Sequence, residues 1–424
     1  MDSGNERKRI NTVSSGIGEA VHRTEPFREP PVSAEAESPA MEETAAVRIT
    51  KSVFKGTPDR FFLILVLLLV SLGSVIVFSA SYPYALAKTG DSMYYIKRQT
   101  AFMLLGLFFM VIATRFPYKL YKRFAIPAYG VSLLLLVAVL FVGLSEGSAK
   151  RWIGVGSITV QPSEIMKLAL VLMLAWYMDR YQDAIGERKN KKLMIVRGVI
   201  LPGVILGAAC GLVLLEKHLS GTIILAAIGM VVLIIGGVHI GWTALIYGTI
   251  GITGATVFLM TNSYALARIK TFLSPVEDLL GADWQTTQGL YAIGSGGLFG
   301  MGIGNSRQKY SYVSQPQNDF VFTIWCEETG FIGAALVVAL FILLLWRGYV
   351  IAMHAPDTFS SLVAFGITSQ VGIQALLNMA VVTDLIPNTG ISLPFFSYGG
   401  SSLVLLLTEM GIVLSISRYS NQRR

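Results

Sequence analysis

Long apolar runs separated by short polar connections dominate the chain. A helix that crosses a bilayer needs roughly 20 consecutive, mostly apolar residues, and ten stretches approach that length. These stretches lie near 61–81, 99–115, 124–144, 164–178, 194–214, 221–237, 242–261, 320–346, 360–383 and 399–417. The fourth is short, and only a Gly-Gly-Val-His break separates the sixth from the seventh. The pattern predicts an all-α polytopic membrane protein with about ten transmembrane helices.

The two ends of the chain differ from this apolar body. The first 60 residues contain 19 of the 60 charged residues, nearly balanced in sign, and are rich in Glu, Pro, Ser and Ala. Such a segment cannot bury enough apolar surface to offset the entropy of ordering it. We therefore expect a disordered cytoplasmic tail over 1–60, a membrane domain over 61–418 and a short cytoplasmic C-terminus over 419–424.

Composition supports the membrane assignment and narrows the range of partners. Hydrophobic residues make up 53% of the chain and charged residues only 14%, whereas soluble domains carry about a quarter charged residues. The net charge of +8 is spread thinly along apolar runs. A nucleic-acid surface would concentrate it on one face, so no nucleic-acid partner is expected.

The short loops rich in Lys and Arg predict the orientation of the spans. Basic residues concentrate in loops 116–123 and 179–193 and at the C-terminal end. With ten spans these segments share one side with the N-terminal tail, which places both termini in the cytoplasm. The opposite face then carries the longest connection, 262–319, between helices 7 and 8. A loop of that length in a compact bundle is expected to carry function.

Ionisable residues at the outer ends of the spans form the first candidate site. A charged side chain near the membrane core is energetically costly, so its presence indicates either a paired structural role or a function. Glu164 and Lys167 are one helical turn apart, so they are explained equally well as a structural ion pair and as part of a site. Arg151 precedes them on the outer face, where its guanidinium favours anion binding. In the structural alternative Trp152 is an interfacial anchor, and Gln161 lies directly before Pro162, which suits the start of the helix that carries the pair.

A second cluster, Glu216-Lys217-His218, lies between two spans on the same outer side. A metal site built on His218 is not expected, because no second His is near it in the sequence.

The long loop contains the remaining candidate carboxylates. Glu277 and Asp278 follow a proline, and chemistry alone favours a turn former over a functional group for such an aspartate. The glycines between 294 and 304 do not follow a strand, so they exclude a dinucleotide fold and instead predict tight turns and close backbone approach around a cavity. Glu327 and Glu328, together with Asp319, either line a pore or pair with Arg307 and Lys309. The uncharged Pro/Gly/Ser segment 385–402 predicts a re-entrant support beneath the loop.

Four motifs occur in an order that resembles one protein family. They are RW-I-x-x-G from Arg151, QPSE-x-x-K from Gln161, P-x-x-D-x-x-G from Pro275 and LP-F-F-SYGGSS from Leu393. With about ten spans and a long outer loop, the chain resembles the SEDS family of shape, elongation, division and sporulation proteins over 61–418. Its closing run is more similar to the FtsW/SpoVE branch than to the RodA branch. One departure is Lys217-His218, where many members carry Pro-Asp.

The resemblance implies a peptidoglycan glycosyltransferase of the bacterial cytoplasmic membrane that polymerises lipid II at the outer face, for division or sporulation. It also implies a class B penicillin-binding protein as the transpeptidase partner, together with other division-complex proteins. Asp278 matches the family's catalytic aspartate and is expected to act as a general base. The expected substrate-binding residues are Arg151, Trp152, Lys217, Gln285 and Ser397, and the expected supporting residues are Gln161, Glu164 and Lys167.

Two further points stay open at the level of sequence. No cofactor is certain, although a divalent cation, Mg²⁺ or Mn²⁺, could assist Arg151 and Lys217 in holding a pyrophosphate, and its ligands are unknown. The alternatives to a division polymerase are a lipid II flippase, a RodA-like elongation polymerase and a non-catalytic scaffold of the division machinery. A flippase should carry charges near the middle of several spans, whereas most charges here lie at the outer ends.

Overall fold

Helices account for most of the chain. The computed structural model describes residues 56–146, 149–155, 158–186, 191–261, 266, 268–269, 272–273 and 284–420. The helices are α1 Arg60–Thr89, α2 Tyr94–Arg115, α3 Tyr118–Val142, α4 Pro162–Arg180, α5 Gln182–Gly186, α6 Lys191–Ile195, α7 Leu201–Leu215, α8 Leu219–Ile235, α9 Ile240–Thr261, α10 Trp284–Ser295, α11 Val321–Met353, α12 Thr358–Val382 and α13 Gly400–Ser420. A single π-helical turn, Val196–Ile200, joins α6 to α7.

Eight of the described helices are long and apolar enough to cross a membrane. They are α1, α2, α3, α7 with its preceding π-turn, α9, α11, α12 and α13. Of the other two predicted runs, one coincides with the shorter apolar helix α8. The second coincides with the 19-residue α4, which carries Glu164, Lys167 and Asp179 among its apolar residues. The chain is a multi-pass helical membrane protein.

Local sequence signals set the helix boundaries. The Asp59 carboxylate caps α1 by accepting a 2.9 Å hydrogen bond from the amide of Phe62, which satisfies one of the donors left over at a helix start. Gly90 ends the same helix in the left-handed conformation, with φ of 72°. Pro162 opens α4, where a missing amide proton costs nothing.

A small antiparallel sheet departs from the all-α expectation. Strands β1 Leu144–Glu146, β2 Ala149–Val155 and β3 Ile158–Val160 pair in the order β1-β2-β3, within the connection between α3 and α4. Ile153, Ile158 and Val160 are β-branched residues that favour extended backbone. The central strand β2 carries Arg151 and Trp152, so the sheet fixes both candidate residues beside the first turn of α4.

The glycine-rich turn after α10 packs against a kink in α11. The amides of Met301 and Gly302 donate to the carbonyls of Glu327 and Glu328 at 2.9 and 3.0 Å. Gly330 breaks α11 with φ of 67°, and a Cβ on it would lie 2.4 Å from the amide nitrogen of Gly300. The close backbone approach predicted for these glycines is thus an approach to α11.

A buried ion pair fastens this turn to α1 and α11. The Lys309 ammonium lies 2.9 Å from the Glu328 carboxylate, and their side chains are 3% and 1% exposed. Ser79 of α1 donates to the same carboxylate at 2.6 Å, and Glu327 accepts from the Ser306 hydroxyl at 2.5 Å. The sequence left open whether Glu327 and Glu328 line a pore or pair with the preceding loop. The structure shows that both carboxylates pair with the loop.

Candidate functional site

A cavity of about 590 Å³ opens where β2, the first turns of α4 and α8, and the segment between α12 and α13 meet. Polar and apolar groups share its wall about equally, and Phe102, Leu144 and Ile224 contribute to the apolar part. The cavity brings together five of the nine residues for which a catalytic, substrate-binding or supporting role is expected. These are Arg151, Trp152, Gln161, Glu164 and Lys167.

The ion pair of α4 lies in the cavity wall. The Lys167 ammonium is 2.8 Å from a Glu164 carboxylate oxygen, and the lysine side chain is only 5% exposed. Because Glu164 balances the charge of Lys167, the pair adds polarity to the wall and little net charge. Arg98 and Arg151 also line the cavity, as does Asp319, so three cationic and two acidic side chains contribute to its lining.

Arg151 is held by the connection between α7 and α8. Its guanidinium donates a 2.7 Å hydrogen bond to the carbonyl of Lys217. The neighbouring Glu216 is 2% exposed, and neither of its carboxylate oxygens has a hydrogen-bond partner among the described residues. Burial raises the pKa of the Glu216 carboxyl to about 8, although the charge of Arg151 opposes that rise.

His218 faces the cavity as a neutral ring. Its Nδ1 lies 3.4 Å from the Ser163 hydroxyl and 3.5 Å from the Gln161 amide nitrogen. Burial lowers the pKa of His218 to about 3, with smaller contributions from Arg151 and Lys167. At neutral pH the ring therefore carries no charge and can exchange hydrogen bonds with its polar neighbours.

The far wall comes from the segment before α11 and the segment between α12 and α13. Asp319 lines the cavity, and burial raises the pKa of its carboxyl above the usual range, against the influence of its own backbone hydrogen bond and of Arg268. Asn378 of α12 ties the two segments together, because its amide donates to the carbonyls of Asp319 and Ile391 at 2.7 Å each. Ser220, at the start of α8, donates to the Thr389 carbonyl at 2.7 Å.

The remaining candidate residues lie elsewhere. The Lys217 side chain is exposed, and only its carbonyl reaches a cavity residue. The Gln285 amide donates to the Ser314 carbonyl at 3.0 Å. Ser397 accepts from the amide of Leu393 at 2.7 Å and borders a separate cavity of about 30 Å³. Asp278 falls outside the described residues.

Three amides on α12 were not identified from the sequence, although a signal for them was present. Gln370, Gln374 and Asn378 are spaced by four, which places them on one helix face. Gln374 lines the large cavity, whereas Gln370 donates at 2.8 Å to the buried Glu409 of α13. A polar stripe in an otherwise apolar span faces protein, because lipid offers no hydrogen bonds.

A metal centre is not formed by the described part of the chain. No three His, Cys, Asp or Glu side chains lie close enough together there to hold an ion.

Comparisons with known proteins agree with these features. A family model described as a cell cycle protein, FtsW/RodA/SpoVE, matches residues 59–422. Stage V sporulation protein E of Bacillus subtilis is 40% identical over 369 residues, which cover 86% of this chain and 98% of that protein. A probable peptidoglycan glycosyltransferase FtsW of Trichlorobacter lovleyi is 38% identical over 365 residues, covering 85% of this chain and 93% of the relative.

A solved structure extends the likeness to three dimensions. It belongs to a peptidoglycan synthase complex that coordinates polymerization and crosslinking. The matched chain is 28% identical with a TM-score of 0.69, and the match covers 86% of this chain and 99% of the other. The chain described here belongs to the FtsW/RodA/SpoVE family of cell cycle proteins, the SEDS family that its motifs resemble, and within it is FtsW/SpoVE-like.

Proposed function

We propose that the chain is a peptidoglycan glycosyltransferase that polymerises lipid II into glycan strands for the septal wall of division or sporulation. The observation that carries the proposal is the cavity of about 590 Å³, which joins cationic, amide and apolar surfaces. A lipid-linked sugar diphosphate presents the complementary groups, namely a diphosphate, hydroxyls and an isoprenoid chain. The names and functions of the relatives support the same assignment.

Arg151 and Arg98 are the cavity cations suited to the diphosphate. A guanidinium has five donors in a planar fork, and the bond from Arg151 to the Lys217 carbonyl uses one of its terminal nitrogens. Charge that develops on the leaving diphosphate would be stabilised by cations already in place, which lowers the barrier without reorganisation. The apolar wall formed by Phe102 and Ile224 is suited to the first isoprene units.

Asp278 is proposed as the general base that takes the proton from the attacking sugar hydroxyl. A diphosphate leaves without needing a proton, so one carboxylate suffices for a single inverting displacement. The resemblance of the Pro275–Gly281 motif to the family supports this role. A bound divalent cation, Mg²⁺ or Mn²⁺, would add positive charge near the diphosphate. The described residues contain no group of three His, Cys, Asp or Glu side chains that could supply its ligands.

Both ends of the membrane domain are proposed to face the cytoplasm. Arg418 donates to the carbonyl of Gly56 at 3.2 Å, so the start of α1 and the end of α13 lie at the same end of the bundle. Lys122 and Asp179 pair at 2.6 Å at the α3–α4 end that carries the basic loops. The positive-inside rule assigns this end to the cytoplasm, which leaves the cavity on the outer side.

A class B penicillin-binding protein is the proposed partner, with other division-complex proteins around the pair. The matched solved structure is part of a synthase complex that coordinates polymerization and crosslinking. Glycan strands have to be crosslinked by a transpeptidase after they are made, which supports such a pairing.

A lipid II flippase is the second candidate, because polar groups continue below the cavity. Gln370 and Glu409 hydrogen bond to each other at 2.8 Å, and the space beside them is only about 30 Å³. That volume suits about two waters and not a disaccharide headgroup. The geometry of the described residues therefore favours chemistry at the outer face over passage through the bundle.

Polymerisation of labelled lipid II by the purified chain with its transpeptidase tests the proposal. We expect glycan strands from the wild type and at least a hundredfold lower rate from Asp278→Asn, because a removed general base typically costs 10²–10⁴-fold. Glu277→Gln is the matched control, since it removes the adjacent carboxylate of the same loop. Polymer made at the normal rate by Asp278→Asn would contradict the assigned base, and a wild type that only translocates lipid II in vesicles would favour the flippase.

A further inference from the structure

One amide side chain in the wall of the large cavity has no hydrogen-bond partner in the protein. Gln374 of α12 is only 6% exposed and lines the cavity of about 590 Å³. Within the part of the chain that the structure describes, its side-chain amide neither donates nor accepts a hydrogen bond. Buried amides almost always have a partner, because an unsatisfied one costs free energy. The amide of Gln374 is therefore available to a molecule that enters the cavity.

The two neighbouring amides on the same face of α12 are occupied by the protein. Asn378, one turn later, donates to two main-chain carbonyls at 2.7 Å each. Gln370, one turn earlier, donates to the Glu409 carboxylate at 2.8 Å. Both amides join α12 to other segments. Gln374 lies between them and makes no such bond with a described residue, so helix packing accounts for two of the three amides and not for the third.

A carboxyl group lies on the same wall as Gln374. Asn378 ties the Asp319 carbonyl to α12, about 6 Å along the helix from Gln374, and the side chains of Gln374 and Asp319 both line the cavity. Asp319 forms no ion pair with a described residue, whereas the other cavity carboxylate, Glu164, pairs with Lys167 at 2.8 Å. This wall therefore offers an amide and a carboxyl, which are groups that hydrogen bond to neutral polar ligands.

The substrate of the proposed function carries a group that is complementary to a glutamine amide. In lipid II the sugar joined to the diphosphate bears an acetamido group on the carbon next to that linkage. An acetamido group offers one N–H donor and one carbonyl acceptor, and the side chain of Gln374 offers the matching acceptor and donor. A cavity of about 590 Å³ encloses most of a small ligand. When the diphosphate meets Arg98 and Arg151, the acetamido group beside it is enclosed in the same cavity.

We propose that Gln374 recognises the acetamido group of the sugar attached to the diphosphate, and that Asp319 beside it hydrogen bonds to a hydroxyl of the same sugar. This subsite for a 2-acetamido sugar rests on the proposed function, in which the diphosphate meets the cavity arginines. A site built to hydrogen bond one substrate group rejects an analogue that lacks the group, because the buried polar side chain is then left without a partner.

A lipid II analogue with an acetyl ester in place of that acetamido group tests the subsite. The ester keeps the shape and the carbonyl but lacks the N–H donor. For the wild type we expect kcat/KM of polymerisation to be at least fivefold lower with the ester. For Gln374→Leu we expect normal lipid II to be used at least tenfold more slowly, and the preference between the two substrates to fall below twofold, because neither substrate finds a partner there.

Gln370→Leu is the matched control. It is the same substitution one turn away, at a residue that is absent from the lining of the large cavity, and it should keep the wild-type preference. Gln374→Met is the second variant if thermal unfolding in detergent shows that Gln374→Leu does not fold.

Asp319 has a different expected pattern, because both substrates carry the sugar hydroxyls. Asp319→Leu should slow polymerisation of both at least fivefold and leave the preference unchanged. Asp319→Asn keeps hydrogen-bonding groups and should stay within threefold of the wild type. A preference lost in Asp319→Leu and kept in Gln374→Leu would assign the acetamido group to the carboxyl and refute the role of Gln374.

Binding of fluorescently labelled lipid II and of its ester analogue, measured by anisotropy, gives the same comparison without turnover. Gln374→Leu with the wild-type preference would overturn the proposal and leave the amide facing cavity water only. A wild type that does not distinguish the two substrates would contradict it equally. A wild type that binds the two with the expected preference but makes no polymer would overturn the proposed function and support the subsite.

Discussion

Lys309→Met should destabilise the protein far more than the loss of an ordinary surface ion pair. The Lys309–Glu328 pair is 2.9 Å long with side chains 3% and 1% exposed, and the ammonium also donates to Ser79 and Gly304. Removing the lysine leaves the Glu328 carboxylate buried with only the 2.6 Å hydrogen bond from Ser79 and a weaker amide contact. Breaking one partner of a buried pair typically costs about 3–5 kcal/mol.

A second ion pair of similar length offers the matched control. Lys97 and Asp91 are 2.8 Å apart, but their side chains are 67% and 46% exposed, so Lys97→Met should leave the unfolding temperature almost unchanged. Thermal unfolding of both variants in the same detergent, followed by tryptophan fluorescence, compares the two directly. Equal lowering of the unfolding temperature by the two substitutions would refute the argument that burial, and not pair length, sets the energy.

Three other outcomes are expected. Gly300→Ala, whose Cβ would lie 2.2 Å from the Glu328 carbonyl oxygen, should lower the unfolding temperature clearly more than Gly304→Ala, which is equally left-handed but meets nothing within 4 Å; similar values would contradict the clash. The folded-state pKa of Glu216 is raised to about 8, so stability should fall as pH rises from about 4.5 to 8, and Glu216→Gln should flatten that slope in unfolding scans at several pH values. Asn378→Leu leaves two carbonyls without their donor and should cost about 2–6 kcal/mol, with a parallel loss of polymerisation; an unchanged protein would show that Asn378 does not hold the cavity wall.

The helices were predictable from sequence because apolar length is a strong signal. Every predicted run coincides with a helix, although helices such as α11, at 33 residues, extend well beyond the expected bounds. Their ends follow caps and packing, which hydropathy does not record. The sheet after α3 was missed because its strands are only three to seven residues long, and short alternating segments carry little periodicity.

The charged part of the candidate site could be predicted, because charged residues are rare within and beside the apolar spans. Arg151, Glu164 and Lys167 stood out for that reason, and the cavity contains all three. Neutral amides such as Gln374 carry no charge, so they were overlooked despite their helical spacing.

The contacts of Asp59 have a consequence for how the chain is made. Its amide donates to the Ser417 hydroxyl at 3.0 Å across 358 residues of sequence, and its carboxylate pairs with Arg347 at 2.6 Å. At about 5–20 residues per second, a ribosome needs roughly 20–70 s to deliver Ser417 after Asp59. The first helix therefore forms long before these partners exist, and water has to solvate the Asp59 carboxylate until Arg347 and Ser417 are made.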